Sequence, residues 1–253
     1  MSGQSRGPYP PAVPEWMVNA SSARILDLAS GGGAFAAMLV GGGHQVFCVD
    51  RDPAQATATA VRLGSIRTTT AQAEALPFVD GCFDRVTVAQ SLHRFAPGLA
   101  LPEIARVLRP GGALAVAYNT RDDTVPWVRK LIMLMQQADP DAMRGDYGAD
   151  SLDAVRDSPY FGEPERRNFR NWVPITRPRL LAMVQRRPTT ARLEADVRES
   201  LLREVGGLYD TYARSPEPLL LPFQASAWRV RVDRSQLVSR APADDALQIP
   251  VGF

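Results

Sequence analysis

Residues 25–35 read ILDLASGGGAF: an apolar run interrupted by Asp27, then three consecutive glycines, then a segment that favours helix. Ile25, Leu26 and Leu28 have the composition of a strand buried on both faces, which points to a parallel sheet covered by helices. Gly31, Gly32 and Gly33 let the backbone turn sharply and approach a ligand closely. A chain with this segment is constrained to place a small-molecule site at the carboxyl end of a parallel strand. The glycines alone do not choose the ligand, because Gly31, Gly33 and Ala36 also satisfy a relaxed G-x-G-x-x-A dinucleotide fingerprint.

The rhythm that follows supports the same architecture. Residues 34–40 have a helical pattern closed by glycines, 45–49 form a strand ending at Asp50, and 53–63 form an alanine-rich helix. A short β-prone piece at 66–70, a turn at Asp80 and Gly81, and a strand at 85–89 come next. A helix at 102–108, a turn at 110–112 and a strand at 113–117 complete the series. Strands alternating with helices predict parallel βαβ units and an open doubly wound sheet. Beyond Asn119 the pattern predicts a helix at 125–137, loops with short helices at 138–164, a strand at 168–175, helices at 177–185 and 193–212, and a last strand at 225–232. The final residues lack periodicity and read as a mobile tail.

Composition narrows the class. At 253 residues, 45% hydrophobic and 22% charged, the chain is that of a globular protein with a full core. No apolar run approaches the roughly 18 residues of a membrane span, and MSGQSRGPYPP lacks a signal-peptide core. The expected location is cytoplasmic, with no membrane partner. Cys48 and Cys82 give neither a disulfide framework nor metal-ligand spacing, so no metal site is expected. Arginines crowd residues 166–192, but Lys130 is the only lysine in the chain, a skew that fits codon bias. With few interleaved aromatics, the cluster reads as a solvated face, and no nucleic-acid partner is expected.

Asp50 stands at the end of the second strand, about 20 residues beyond the glycines, where a carboxylate accepts hydrogen bonds from ribose hydroxyls. That role suits NAD and S-adenosylmethionine equally. Asp27 separates them, since an anion beside the loop repels a pyrophosphate and suits an ammonium or sulfonium. Two further segments, ALPFVDGCFDRVTV and EIARVLRPGGALAV, follow in order. Together with the glycine segment they resemble the class I S-adenosylmethionine-dependent methyltransferases. The likeness is to the small-molecule branch that includes ubiquinone- and menaquinone-biosynthesis enzymes and trans-aconitate methyltransferase, and it spans residues 25–119.

The resemblance implies a Rossmann-like α/β fold: an open doubly wound, mostly parallel sheet with the last strand antiparallel, plus a helical cap insertion. It divides the chain into a cofactor-proximal segment at 1–20, a cofactor-binding core at 21–120, a cap with remaining sheet elements at 121–218, a strand at 219–233 and a flexible tail at 234–253. The family's D-L-G-C-G-T-G is here Asp27, Leu28, Ala29, Ser30, Gly31, Gly32, Gly33, so Ala29 replaces the first glycine. Asp50 matches the ribose acid and Arg51 the position against adenine. Gln72 stands where related enzymes carry an aspartate near the adenine amino group; its amide oxygen still accepts, and Ala73 offers its N–H. Ala89 and Gln90 should border the methionine end, and Arg6 and Tyr9 resemble an R-P-x-Y-P segment that approaches the cofactor in some relatives. A merely packing amino-terminal segment is the alternative for those two.

Methyl transfer from a sulfonium is an in-line displacement that needs alignment more than a nucleophilic side chain. A hydroxyl or acidic carbon acceptor also needs a base, and His93, in SLHRF past the fourth strand, is placed for it. A packing or capping role is equally open to His93, while His44, in a glycine-rich turn, is expected to face solvent. Residues 119–218 should furnish the pocket for a small organic acceptor, at oxygen or carbon rather than nitrogen, in a monomer or homodimer. Two alternatives stay open: a degenerate, non-catalytic S-adenosylmethionine-binding module, and an NAD-dependent oxidoreductase.

Overall fold

Seven strands form one sheet in the order β3-β2-β1-β4-β5-β7-β6. They are β1 Arg24–Leu28, β2 Gln45–Asp50, β3 Thr68–Thr70, β4 Phe83–Ala89, β5 Leu108–Arg121, β6 Glu165–Ile175 and β7 Leu219–Arg231. The structure is a computed structural model that describes residues 9–64, 67–138, 147–214, 216 and 218–237. Arg6 and most of the 234–253 tail lie outside the described residues.

β1 pairs in parallel with β2, Leu28 opposite Val49, and with β4, Asp27 opposite Thr87. β2 pairs in parallel with β3, and β4 with β5. Around β7 the direction reverses. Asp122 N donates to Pro222 O and Val232 N to Gly112 O, so residue numbers fall on one strand as they rise on the other. Gly162 N to Arg231 O and Asp233 N to Tyr160 O show the same reversal on the β6 side. Six strands are therefore parallel and the last in the chain antiparallel.

The connections run from β1 outward to β2 and β3, then return to place β4 on the other side of β1. This reversal opens a crevice at the carboxyl ends of β1 and β4, where ligands of open α/β sheets bind. Ile25, Leu26 and Leu28 of β1 are buried, as a strand covered on both faces requires.

The helices are α1 Ala12–Val18, α2 Ala34–Gly41, α3 Pro53–Leu63, α4 Pro97–Val107, α5 Pro126–Ala138, α6 Tyr147–Arg156, α7 Arg177–Gln185, α8 Pro188–Ala191 and α9 Ala195–Tyr212. Local chemistry sets their starts: Asp52 caps α3 through Oδ1 to Ala54 N at 2.9 Å, with Pro53 in the first turn. α4 starts five residues earlier than the pattern around Pro102 suggests. Pro97 opens it, and the buried face of Ala100, Leu101, Ile104 and Val107 outweighs the bond missing at Pro102. β7 likewise starts at Leu219, upstream of Pro222, a residue that marks a strand end in sequence but here only withholds a donor.

The described residues fall into two compact units, one within Pro11–Tyr118, Tyr147–Phe169 and Ser226–Phe253, the other within Met1–Pro10, Asn119–Asp146 and Arg170–Ala225. The first has its core between the central strands and helices, with Phe78 and Phe83 edge to face at 5.0 Å between ring centres. In the second, Leu131 and Met135 of α5 pack with Leu180 and Val184 of α7 and Val205 of α9. No helix among the described residues is long and apolar enough to cross a membrane.

Candidate functional site

The turn after β1 is built from left-handed backbone. Ala29, Gly31 and Gly33 have φ of 52°, 55° and 71°. Glycine adopts this conformation freely, whereas an L-residue such as Ala29 pays roughly 1–2 kcal/mol. That is the physical reason a glycine suits position 29 in related enzymes, and Ala29 nonetheless adopts the same turn. Ser30 N donates to Val49 O at 3.2 Å, Gly33 N to Ser30 O at 3.0 Å, and the Thr59 hydroxyl to Gly31 O at 2.5 Å.

The three glycines differ in what surrounds them. A Cβ on Gly33 would lie 3.0 Å from the Thr59 methyl, so α2 and α3 need glycine there to pack. A Cβ on Gly32 would meet nothing within 4 Å, so the loop's outer face is open. Such a face is the cradle that a bound ligand fills.

Two carboxylates flank the loop. Asp50 is buried; its Oδ2 accepts from Gly31 N at 2.8 Å and its Oδ1 from Asp52 N at 2.9 Å, which fixes the side chain against the loop. Each oxygen keeps a lone pair for a ligand hydroxyl. Asp27 is 1% exposed, and Thr87 donates to its Oδ1 at 2.7 Å. Its Oδ2 is buried without a partner. Burial pushes the Asp27 carboxyl up to about 7; the Thr87 hydrogen bond opposes that shift, and the nearby Asp50 adds to it. A buried carboxylate oxygen without a donor is a place for a cation.

Ala71 N donates to Asp50 O at 3.2 Å, which brings the next turn to the same edge. In that turn Gln72 is exposed and Ala73 buried, and Glu74 accepts from Ala96 N at 2.8 Å, joining it to the start of α4. Arg51 is exposed beside Asp50. Tyr9 is half-buried and belongs to the other unit. The structure thus brings Asp27, Ala29, Ser30, Gly31, Gly33, Asp50, Gln72 and Ala73 to one sheet edge.

At the end of β4, Gln90 follows Ala89 with φ 64° and donates its N–H to Ala117 O at 2.8 Å. This turn leads into a short 3-10 helix, Leu92–Arg94. His93 N and Nδ1 both lie 3.1 Å from the Tyr118 hydroxyl, which is 3.0 Å from Ser151 Oγ. His93 and Ser151 border a cavity of about 270 Å³ whose other walls, among them Leu92, Phe95, Leu101 and Ala154, are apolar. Ser151 and Ala154 come from the 119–218 region expected to furnish a pocket. His44 is buried rather than solvent-facing, because its ring folds back over the turn at Gly42; burial lowers its pKa. It sits at the opposite end of β2 from Asp50.

Thr59, Thr87 and Glu74 escaped the sequence reading. Thr59 lies among the alanines and threonines of α3, with nothing local to mark it. Thr87 is legible only through the β1–β4 register that sets it opposite Asp27.

The strand order, the reversal at β1 and β4 and the acid-flanked glycine turn define a Rossmann-like protein with an open crevice at the carboxyl ends of its strands. The methyltransferase-domain family profile matches residues 26–116. An uncharacterized methyltransferase of Mycobacterium tuberculosis strain H37Rv is 34% identical over 213 residues, covering 83% of this chain and 82% of that one. A demethylmenaquinone methyltransferase of Beutenbergia cavernae is 38% identical over 105 residues, covering 41% and 42%. A candidate type II methyltransferase of Anaeromyxobacter dehalogenans shares the fold, with a TM-score of 0.61 at 21% identity, covering 90% and 97%. The chain belongs to the methyltransferase family.

S-adenosylmethionine is the cofactor that this family implies. The residues present fit it: an open glycine face, a pinned carboxylate at the end of β2 and an orphaned carboxylate oxygen on Asp27.

Proposed function

We propose that the protein transfers a methyl group from S-adenosylmethionine to oxygen or carbon of a small organic acceptor. The observation that carries this reading is Asp27 Oδ2, buried without a partner beside a glycine turn whose outer face is open. When bound, the cofactor supplies an electrophilic methyl on a sulfonium. In this reading Asp27 balances the cationic end, Gly31, Gly33 and the Ala29–Ser30 turn hold it, and Asp50 accepts the ribose hydroxyls. Arg51, Gln72 and Ala73 border the adenine, and Ala89 and Gln90 the methionine side.

His93 is the group on this chain suited to take a proton from a hydroxyl or acidic carbon. Its Nδ1 is engaged with Tyr118, which orients the ring at the wall of the apolar cavity. An apolar cavity bordered by a few convergent polar groups suits a small organic molecule. The protein is read as cytoplasmic, a monomer or homodimer, acting without nucleic acid.

Calorimetric titration with S-adenosylhomocysteine and with NADH, followed by turnover on a panel of phenols, enols and amines, tests the reading. S-adenosylhomocysteine should bind, NADH should not, and methyl should appear on oxygen or carbon. Binding without turnover on every acceptor would favour a non-catalytic module, and binding of NADH alone an oxidoreductase.

A further inference from the structure

Most of the arginines crowded at 166–192 are exposed, and several have partners. Arg177 pairs with Asp210 at 2.9 Å, Arg166 lies over the Trp228 ring at 5.1 Å and Arg167 over Phe169 at 5.2 Å. Arg187 has no such partner, and it belongs with an arginine distant in sequence.

Arg121 ends β5. Its Nη2 lies 3.2 Å from the Met183 sulfur on α7, and its guanidinium sits 5.8 Å from the centre of the Phe223 ring. Its Nε is buried with no partner. Arg187 stands at the corner between α7 and α8, four residues past Met183, and its Nε is also buried without a partner. Thr190, one turn further, is 0% exposed, and its hydroxyl is unpartnered too. Burial first, and the Arg187 charge after it, lower the pKa of Arg121 to about 10, so the two cations sense each other. The adjacent carboxylate, Asp122, is taken up by the N–H and hydroxyl of Thr124. Among the described residues no carboxylate pairs with either arginine.

Two neighbouring guanidinium groups of like charge, each half-buried with its Nε shut off from water and no counter-ion, are costly unless an anion joins them. Arginine is the residue suited to planar, two-point recognition of carboxylate and phosphate. From Arg121 set against Met183, Arg187 four residues further along the chain and the buried Thr190 hydroxyl three residues beyond that, we infer an oxyanion-binding site in this unit that takes the carboxylate or phosphate group of a small molecule. The site is distinct from the glycine turn and does not depend on the methyl-transfer reading.

Thermal unfolding of the full chain in sodium phosphate or sodium succinate, against sodium chloride at equal ionic strength, tests it. The wild-type midpoint should rise saturably with one of the two anions beyond the chloride control, and the effective anion tells phosphate from carboxylate. Arg187→Gln should weaken the apparent affinity for that anion by about tenfold, the loss expected for a charged hydrogen-bonding group. If that variant fails to fold, Thr190→Val replaces it and should weaken the same affinity by about threefold, a loss within the usual range for one neutral hydrogen bond. No saturable rise in wild type, or an unchanged affinity in the folded variant, overturns the site. S-adenosylhomocysteine titration of the same samples is a separate readout: its failure counts against the methyltransferase reading and leaves the anion site standing.

Discussion

Asp27 and Thr87 lie opposite each other across the β1–β4 pairing, joined by a 2.7 Å hydrogen bond from the Thr87 hydroxyl to Asp27 Oδ1. The bond satisfies one carboxylate oxygen and leaves the other buried beside the glycine turn.

The consequence for stability has a definite sign. The Asp27 carboxyl titrates near 7 in the fold against 3.8 when free, so between those pH values the folded state keeps a proton that the unfolded chain has released. Stability is highest below about pH 4 as far as this group is concerned and falls as pH rises to 7, by about 4 kcal/mol in all. Asp27→Asn removes the penalty. Urea unfolding should find the variant's advantage over wild type larger by roughly 2–3 kcal/mol at pH 8 than at pH 5, with equal differences at both values sinking the assignment.

The same proton governs binding. Ionised Asp27 attracts a cation, so S-adenosylmethionine affinity should rise about tenfold between pH 6 and 8, and Asp27→Asn should flatten that rise. Calorimetry at the two pH values checks it; a pH-independent affinity in wild type would separate Asp27 from the cationic end of the ligand.

Gly32 and Gly33 are neighbours with opposite expectations. Gly33→Ala forces a Cβ to 3.0 Å from Thr59 in left-handed backbone and should cost about 1–3 kcal/mol of stability. Gly32→Ala meets nothing in the protein, so its unfolding midpoint should stay within about 0.5 kcal/mol of wild type. Its affinity for S-adenosylhomocysteine should nevertheless fall, because the methyl group occupies the face the ligand needs. Undiminished affinity in Gly32→Ala would show that the cofactor does not lie against this face.

Ala29 carries a strain that the fold tolerates. Restoring glycine relieves the left-handed penalty at φ 52° while adding freedom to the unfolded chain, for a net gain of about 1 kcal/mol. Chemical denaturation of Ala29→Gly measures it, and a loss of stability would mean that the Ala29 methyl makes a packing contribution larger than its backbone cost.

Much of this edge of the sheet was legible in the chain. β1, the glycine turn and the end of β2 at Asp50 were readable because buried strands and left-handed turns each demand few residue types. α3 and α7 occupy the bounds their patterns predict, since Pro53 and Pro178 mark their first turns. What was hidden depends on pairing between distant segments. Thr87 matters only because register sets it against Asp27, and Tyr118 only because the β4–β5 pairing and the 3-10 turn bring its hydroxyl to His93. The helix read at 193–212 is α9, two residues shorter at its start, while the four-residue α8 at Pro188–Ala191 was not read because a single turn is too short to show an apolar period.

That Tyr118 contact yields the prediction that bears most directly on chemistry. If His93 takes the acceptor proton, His93→Gln should lower turnover at saturating acceptor by about 10²–10⁴ and abolish the rise of turnover with pH that a neutral base requires. Tyr118→Phe keeps the ring but loses the hydroxyl that orients Nδ1, so Tyr118 acts as a positioning residue, and its loss should fall on kcat rather than KM by about tenfold. Both variants should bind S-adenosylhomocysteine as wild type does, since neither residue belongs to the glycine turn or its flanking carboxylates. Turnover in His93→Gln equal to wild type at saturating acceptor, with an unchanged pH profile, would assign the His93–Tyr118 pair to the architecture of the cavity wall and leave methyl transfer to alignment alone.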